Sequence, residues 1–174
     1  MRSPRSGVDK RTEGHVVSPS TRVPRVPAHP GSSGAAASRR MRQLKRRDNG
    51  PELALRRQLH AAGLRYRVAY PMPTLARRSI DVAFPALRIA VFVDGCFWHG
   101  CPEHGNVPSA NTEWWQAKLA ANQARDADTT ARLQELGWRV LRLWEHSVER
   151  GGAEVVIAAV RDVRPAAGSD RPGD

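Results

Sequence analysis

The sequence predicts a single α/β domain on a small mixed β-sheet. Three observations lead there. Hydrophobic runs follow the order helix, three strands, helix, strand, helix, with the period switching between helical and strand spacing. Two β-rich runs are joined by a connection tight enough for a hairpin. The length, 174 residues, suits one domain with a real core and is too short for two comfortable ones.

Residues 1–36 are rich in Pro, Ser and Gly and show no hydrophobic period, so residues 1–37 are expected to be a disordered arm. Net charge is +11 and is unevenly spread: residues 1–50 hold 12 Lys+Arg against 3 Asp+Glu, while the remainder is nearly neutral. Such an arm either attracts phosphate backbones without reading sequence or serves as a solubilising tail. From "SRRMRQLKRRDNG" onward, Met41 and Leu44 sit three apart in a basic frame, consistent with a short amphipathic helix. It either docks on the core or lays those two residues against nucleic acid.

In "PELALRRQLHAAG", Pro51 suits a first helical turn, Leu55 and Leu59 recur at spacing four, and Gly63 stops the helix. "LRYRVAY" alternates like a strand and precedes a Pro-containing turn. "SIDVAF" and "RIAVFVD" are strands separated by Pro85-Ala86-Leu87. A long helix is expected from about Thr112 to Leu136, then the strand "WRVLRLW", with Trp138 and Trp144 in the core. A last helix covers about Ser147 to Val163, its start delayed if "RGG" intervenes. The folded unit spans 38–163, and 164–174 is expected to be a disordered tail. No apolar run approaches 18 residues and no signal-peptide pattern is present, which argues against a membrane or secretory protein.

Chemistry concentrates in "GCFWHGCPEHG", residues Gly95 to Gly105, which follows the second hairpin strand and holds both cysteines of the chain. Cys96, Cys101 and His104, with four and two intervening residues, suit zinc better than a disulfide framework, and a reducing cytoplasm fits that use. His146, just after "WRVLRLWE", is the candidate fourth ligand. With all four positions filled by protein, the zinc would be structural. His99 is not needed by that set. It is either a structural hydrogen-bonder or a general base in a loop stiffened by the metal.

Asp81 interrupts an apolar strand, on the face of Ser79 and Ala83 if alternation holds. An acid there must be paired or bind metal. Glu52 either favours its helix dipole or joins Asp81 and a group at the end of the adjacent strand in holding Mg²⁺ against a phosphate. On the long helix, Trp115, Leu119, Asn122, Asp126, Thr129, Leu133 and Leu136 form one stripe, while Lys118, Arg125, Asp128 and Arg132 form a solvated flank. Asn122 and Asp126 interrupt a core-facing stripe, and Asp126 could orient His99 by accepting its second ring proton. Phe97 and Trp98, expected in a Gly-rich loop, and Trp114-Trp115 are either packing residues or rings presented to stack or wedge between bases.

The ordered motifs "PELALRRQLHAAGLRYR", "IDVAFPALRIAVFVDGCFWHGC", "NTEWWQAKLAANQARD" and "LQELGWRVLRLWEH" resemble the very-short-patch repair (Vsr) mismatch endonucleases from about Ser38 to Glu149. The resemblance implies a restriction endonuclease-like fold with a structural zinc. It also implies magnesium-dependent nicking on the 5′ side of the thymine in a T·G mismatch, the product of 5-methylcytosine deamination. Carried over by motif, Asp81 and the main-chain carbonyl of Val93 bind magnesium, and His99 activates water. Glu52 and Asp126 complete the catalytic set, and Asp94, where some members have histidine, could join the metal. Phe97, Trp98 and Trp115 wedge into DNA, Met41 and Leu44 enter from the other groove, and Asn122 and Arg125 complete the DNA-binding set. Cys96 matches a zinc cysteine, Cys101 sits where the family can place a histidine, and His104 and His146 stand where some members use cysteine. The fold's usual lysine after the second acid is absent, which throws the chemistry onto His99.

The expected protein is thus a monomeric bacterial endonuclease of the cytoplasm and nucleoid, acting on double-stranded DNA with possible repair-protein partners. A zinc-stapled, non-catalytic DNA-binding module and a restriction-type nuclease cutting matched DNA are the alternatives.

Overall fold

The computed structural model describes residues 23–31 and 50–163. Helix α1 (Gly50–Ala61) leads to strands β1 (Arg67–Met72), β2 (Leu75–Phe84) and β3 (Ile89–Asp94). A short helix α2 (Cys96–His99) and the long helix α3 (Thr112–Glu135) then carry the chain to β4 (Arg139–Trp144). Helices α4 (Glu145–Ser147) and α5 (Ala153–Val163) close the order. Met41, Leu44, most of the arm 1–37 and the tail 164–174 lie outside the described residues.

The sheet runs β1-β2-β3-β4, antiparallel across the first two pairs and parallel between β3 and β4, so it is mixed as expected. The parallel pair requires a crossover, and α3 supplies it. Both faces are covered. Leu55 and Leu59 of α1 and Val156 and Val160 of α5 pack with Val82, Phe84, Ile89, Val91 and Leu143 on one side. On the other, Leu133 of α3 packs with Ile80, Ala83, Ala90, Phe92 and Trp138. Strand β3 lies between these layers and is buried along nearly its whole length. Each fully buried Leu or Val there contributes about 1.5–3 kcal/mol.

The helix α1 ends as the sequence predicts. Gly63 takes a left-handed φ of 75°, and the Leu64 N–H returns to the Leu59 carbonyl at 3.0 Å. Strand β1 runs on through Pro71 to Met72, leaving Pro73 and Thr74 for the turn. Several expectations need correction. Phe97 and Trp98 sit on α2 rather than in an irregular loop. The last regular helix begins at Ala153, the delay that "RGG" allowed for, because Gly151 adopts φ 94° and breaks the run from Val148. Leu136 falls one residue beyond α3 and is exposed. Trp144 is only half-buried. Asp128 is not merely solvated: it binds Arg78 at 2.7 Å and Arg132 at 2.9 Å, tying α3 to β2.

Residues 23–31 form an irregular segment that touches the start of α3. The Trp114 indole N–H donates to the Pro27 carbonyl at 3.0 Å, and the His29 ring meets Trp114 edge-on at 4.4 Å.

Candidate active site and metal centre

Parallel pairing sets the site. Asp94 on β3 is opposite Trp144 on β4, so the residues two further on, Cys96 and His146, leave the sheet side by side. Their Sγ and Nδ1 atoms are 3.1 Å apart. Cys101 Sγ is 3.8 Å from Nδ1 of both His104 and His146, and Cys96 Sγ is 3.9 Å from His104. A tetrahedral ion with Zn–S of about 2.3 Å and Zn–N of about 2.0–2.1 Å needs sulfur and nitrogen donors about 3.6 Å apart. The four predicted ligands therefore come together with the spacing and the soft thiolate–imidazole chemistry that suit zinc. Burial pushes the Cys96 thiol up to about 11. Burial acts on Cys101 too, but the N–H groups of His104 and Glu103 outweigh it and hold that thiol below its ordinary value. Glu103 lies 3.6 Å from Nε2 of His146 and can orient that ring.

Four residues do not make a stable helix alone, so α2 is held from outside. The Cys96 N–H donates to the Glu145 carboxylate at 2.8 Å. At the other end Asn122 of α3 donates its side-chain amide to the Trp98 carbonyl at 2.8 Å, and Gln123 donates to the His99 carbonyl at 3.3 Å. Gly100 then turns the chain at φ 67°, with its N–H returning to Cys96. Asn122, expected at the DNA, is buried and committed to this role, whereas Arg125 is partly exposed.

His99, so placed, points Nδ1 at Asp126, whose Oδ2 lies at 2.5 Å, and Asp94 Oδ1 lies at 3.6 Å from the same nitrogen. Burial pulls the imidazole pKa down, but the Asp126 hydrogen bond and charge, with the Asp94 charge, outweigh it and leave the net shift upward. Burial would raise Asp126, yet His99 and Arg142 hold it below the usual carboxylate range. Asp94 is not a free carboxylate: Arg142 grips both its oxygens, at 2.7 and 2.5 Å.

Asp81 occupies a break in the sheet. Pairing of β2 with β3 ends at Val82 opposite Val91, and the Asp81 Oδ2 accepts the Val93 N–H at 2.9 Å instead. Ile80 joins the same cluster as Ala83, three residues on, so the strict alternation expected around Asp81 slips here. Burial pushes Asp81 up to about 6, against the Val93 hydrogen bond, and the charges of Glu52 and Asp94 push the same way. Among the described residues no cation pairs with it directly. A buried carboxylate in that state, beside the Val93 main chain, offers the hard oxygen chemistry that magnesium takes. Glu52 is buried on α1 and ion-paired with Arg56.

Phe97, Trp98, Trp114 and Trp115 form one cluster. Phe97 meets Trp98 at 5.1 Å and Trp115 at 5.2 Å, and Trp114 meets Trp115 at 4.8 Å. Phe97 and Trp98 keep part of their surface in solvent, while Trp115 is buried beneath them. Sequence reasoning missed Arg142 and Glu145. The signal for Arg142 was a charged residue inside the otherwise apolar "VLRLW"; nothing local marked Glu145, whose partner lies 49 residues away.

Comparison with known proteins shows the family. The family model for the DNA mismatch endonuclease Vsr matches residues 33–103. The chain is 39% identical over 131 residues to the type II nicking enzyme V.NaeI of Lentzea aerocolonigenes, covering 74% of this chain and 79% of that protein. It is 37% identical over 119 residues to the type II nicking enzyme V.XorIIP of Xanthomonas oryzae pv. oryzae, covering 65% and 82%. It is 39% identical over 115 residues to the DNA mismatch endonuclease Vsr of Escherichia coli, covering 64% and 70%. These homologues are bacterial, and the first two are type II nicking enzymes. The chain is an endonuclease and belongs to the Vsr family of DNA mismatch endonucleases.

Proposed function

We propose that this protein nicks one strand of double-stranded DNA on the 5′ side of the thymine of a T·G mismatch, in a magnesium-dependent reaction with His99 as general base. The observation that carries it is the His99–Asp126 contact of 2.5 Å. With Nδ1 engaged by Asp126, Nε2 is the ring nitrogen left to accept a proton, the base-and-orienter arrangement that hydrolysis by an activated water requires. The names of the relatives support a nick rather than a double-strand cut.

Magnesium held by Asp81 and the Val93 carbonyl would supply positive charge to the phosphate and the leaving oxygen. The remaining work belongs to side chains. Asp126 holds the His99 ring in one tautomer, and the ring takes the proton from the attacking water. Glu52 adds negative charge beside Asp81 and so favours a bound cation there. Phe97 and Trp98 present their faces to the stack at the mismatch while Trp115 supports them from below. Met41 and Leu44 assist from the other groove, and Arg125 meets the phosphate backbone. Zinc at Cys96, Cys101, His104 and His146 is structural, all its positions being filled by protein. The enzyme acts as a monomer in the bacterial cytoplasm, at the nucleoid.

The test is His99→Ala on a duplex with one T·G pair. Nicking should fall by at least about 10²-fold, with zinc content and duplex binding intact. Wild-type cleavage by that variant would remove His99 from the chemistry.

A further inference from the structure

One guanidinium holds both carboxylates that face His99. Arg142 on β4 donates Nε to Asp94 Oδ2 at 2.7 Å and Nη2 to Asp94 Oδ1 at 2.5 Å. The same Nη2 lies 3.1 Å from Asp126 Oδ1, and Nη1 reaches the Asp126 main-chain carbonyl at 3.4 Å. The guanidinium also lies over the Phe92 ring, 5.0 Å from its centroid, which fixes its plane. Four residues from four elements thus close a ring: Asp94 from β3, His99 from α2, Asp126 from α3 and Arg142 from β4. Asp94 is only 7% exposed, and a carboxylate buried to that degree needs a paired cation. The bidentate fork supplies it with a directionality that lysine lacks.

Two carboxylates within reach of one ring nitrogen offer His99 two alternative orientations. Arg142 removes the choice. It occupies both oxygens of Asp94 and only Oδ1 of Asp126, leaving Oδ2 of Asp126 for the imidazole. We propose that Arg142 is the positioning residue of this active site, using Asp94 as its anchor to aim Asp126, and through it the imidazole of His99. Asp94 is on this basis part of the histidine's cradle and not a magnesium ligand. The inference rests on His99 being the base, but the orientation of the ring can be read without catalysis.

Arg142→Met, Arg142→Lys, Asp94→Asn and the double Asp94→Asn/Arg142→Met, made in the full zinc-loaded chain, test it. Three readouts apply: kcat and KM for nicking a T·G duplex, the imidazole ¹⁵N resonances of His99, and chemical-shift titration with Mg²⁺ alone. Arg142→Met should lower kcat by roughly 10²-fold, the scale of a misaligned general base, with KM little changed. Its His99 resonances should lose the single Nδ1–H tautomer. Arg142→Lys, which keeps the charge but not the fork, should fall between Met and wild type. The double variant should recover part of the kcat lost in Arg142→Met, because the neutral amide at position 94 no longer competes for the ring. Asp94→Asn alone should weaken the magnesium titration no more than Glu52→Gln does, since each removes only a charge near Asp81.

Wild-type kcat and tautomer in Arg142→Lys would overturn the proposal even if the Met variant did not fold. Additive losses in the double variant, or magnesium binding weakened far more by Asp94→Asn than by Glu52→Gln, would overturn it as well. The two ideas separate cleanly. Nicking by His99→Ala removes the base, whereas a fixed tautomer in the Arg142 variants removes only the positioning role.

Discussion

His99 can act as a base only while its imidazole is neutral, and its carboxylate neighbours favour the charged form. The net effect holds its pKa above the ordinary histidine value. The nicking rate at saturating magnesium should therefore rise with pH through a value above about 6.5 and then level off. Asp126→Asn removes both the hydrogen bond and the charge that raise it. The inflection should move to lower pH, and the plateau should drop by about 10-fold or more as the ring loses its orienter. An unmoved inflection would exclude Asp126 as the partner that sets His99. Saturating magnesium matters because Asp81, at about 6 in the metal-free chain, otherwise titrates in the same range. At this scale the sequence was informative where a polar residue stood against an apolar pattern, as Asp81, Asn122 and Asp126 do. It was silent on Glu145, which sits where any charged residue would look ordinary.

The element that matters most is the shortest. Helix α2 carries Cys96, Phe97, Trp98 and His99 on consecutive positions, so one turn presents a candidate metal ligand, two rings and the proposed base in different directions. Its C-terminal carbonyls depend on α3 through Asn122 and Gln123. Asn122→Ala leaves the Trp98 carbonyl without that donor and should cost about 1–3 kcal/mol of stability, read as a lower melting temperature. The same variant should lose more in kcat than in DNA affinity, since the ring moves but the basic residues of 1–50 are untouched; a selective loss of affinity would instead make Asn122 a DNA contact. Sequence pattern located the cluster but read it as a loop, because "GCFWHG" is bounded by glycines and too short for a helical period to register.

At the scale of the molecule, a zinc ion held by the four candidate ligands would clip residues 96–104 to His146 across the parallel β3–β4 pair. Cys96→Ser should release zinc and lower the melting temperature by about 10 °C or more, with nicking lost, because α2 is the element the proposed ion would anchor; a purified wild-type chain should carry one zinc, measurable by metal analysis. A zinc-free variant with wild-type stability and activity would show the staple to be dispensable. Much of this architecture was legible in the sequence, because local chemistry writes it. Period marks α1, α3 and the strands, Pro and Gly mark their ends, and Cys-His spacing marks the candidate metal cluster. Tertiary structure alone decided which distant groups meet. The parallel register brings His146 beside Cys96, the crossover helix carries Asp126 to His99, and β4 swings Arg142 onto both acids. Those contacts join residues 16 to 50 positions apart, and a one-dimensional pattern holds no record of which charge a neighbouring strand will place beside another.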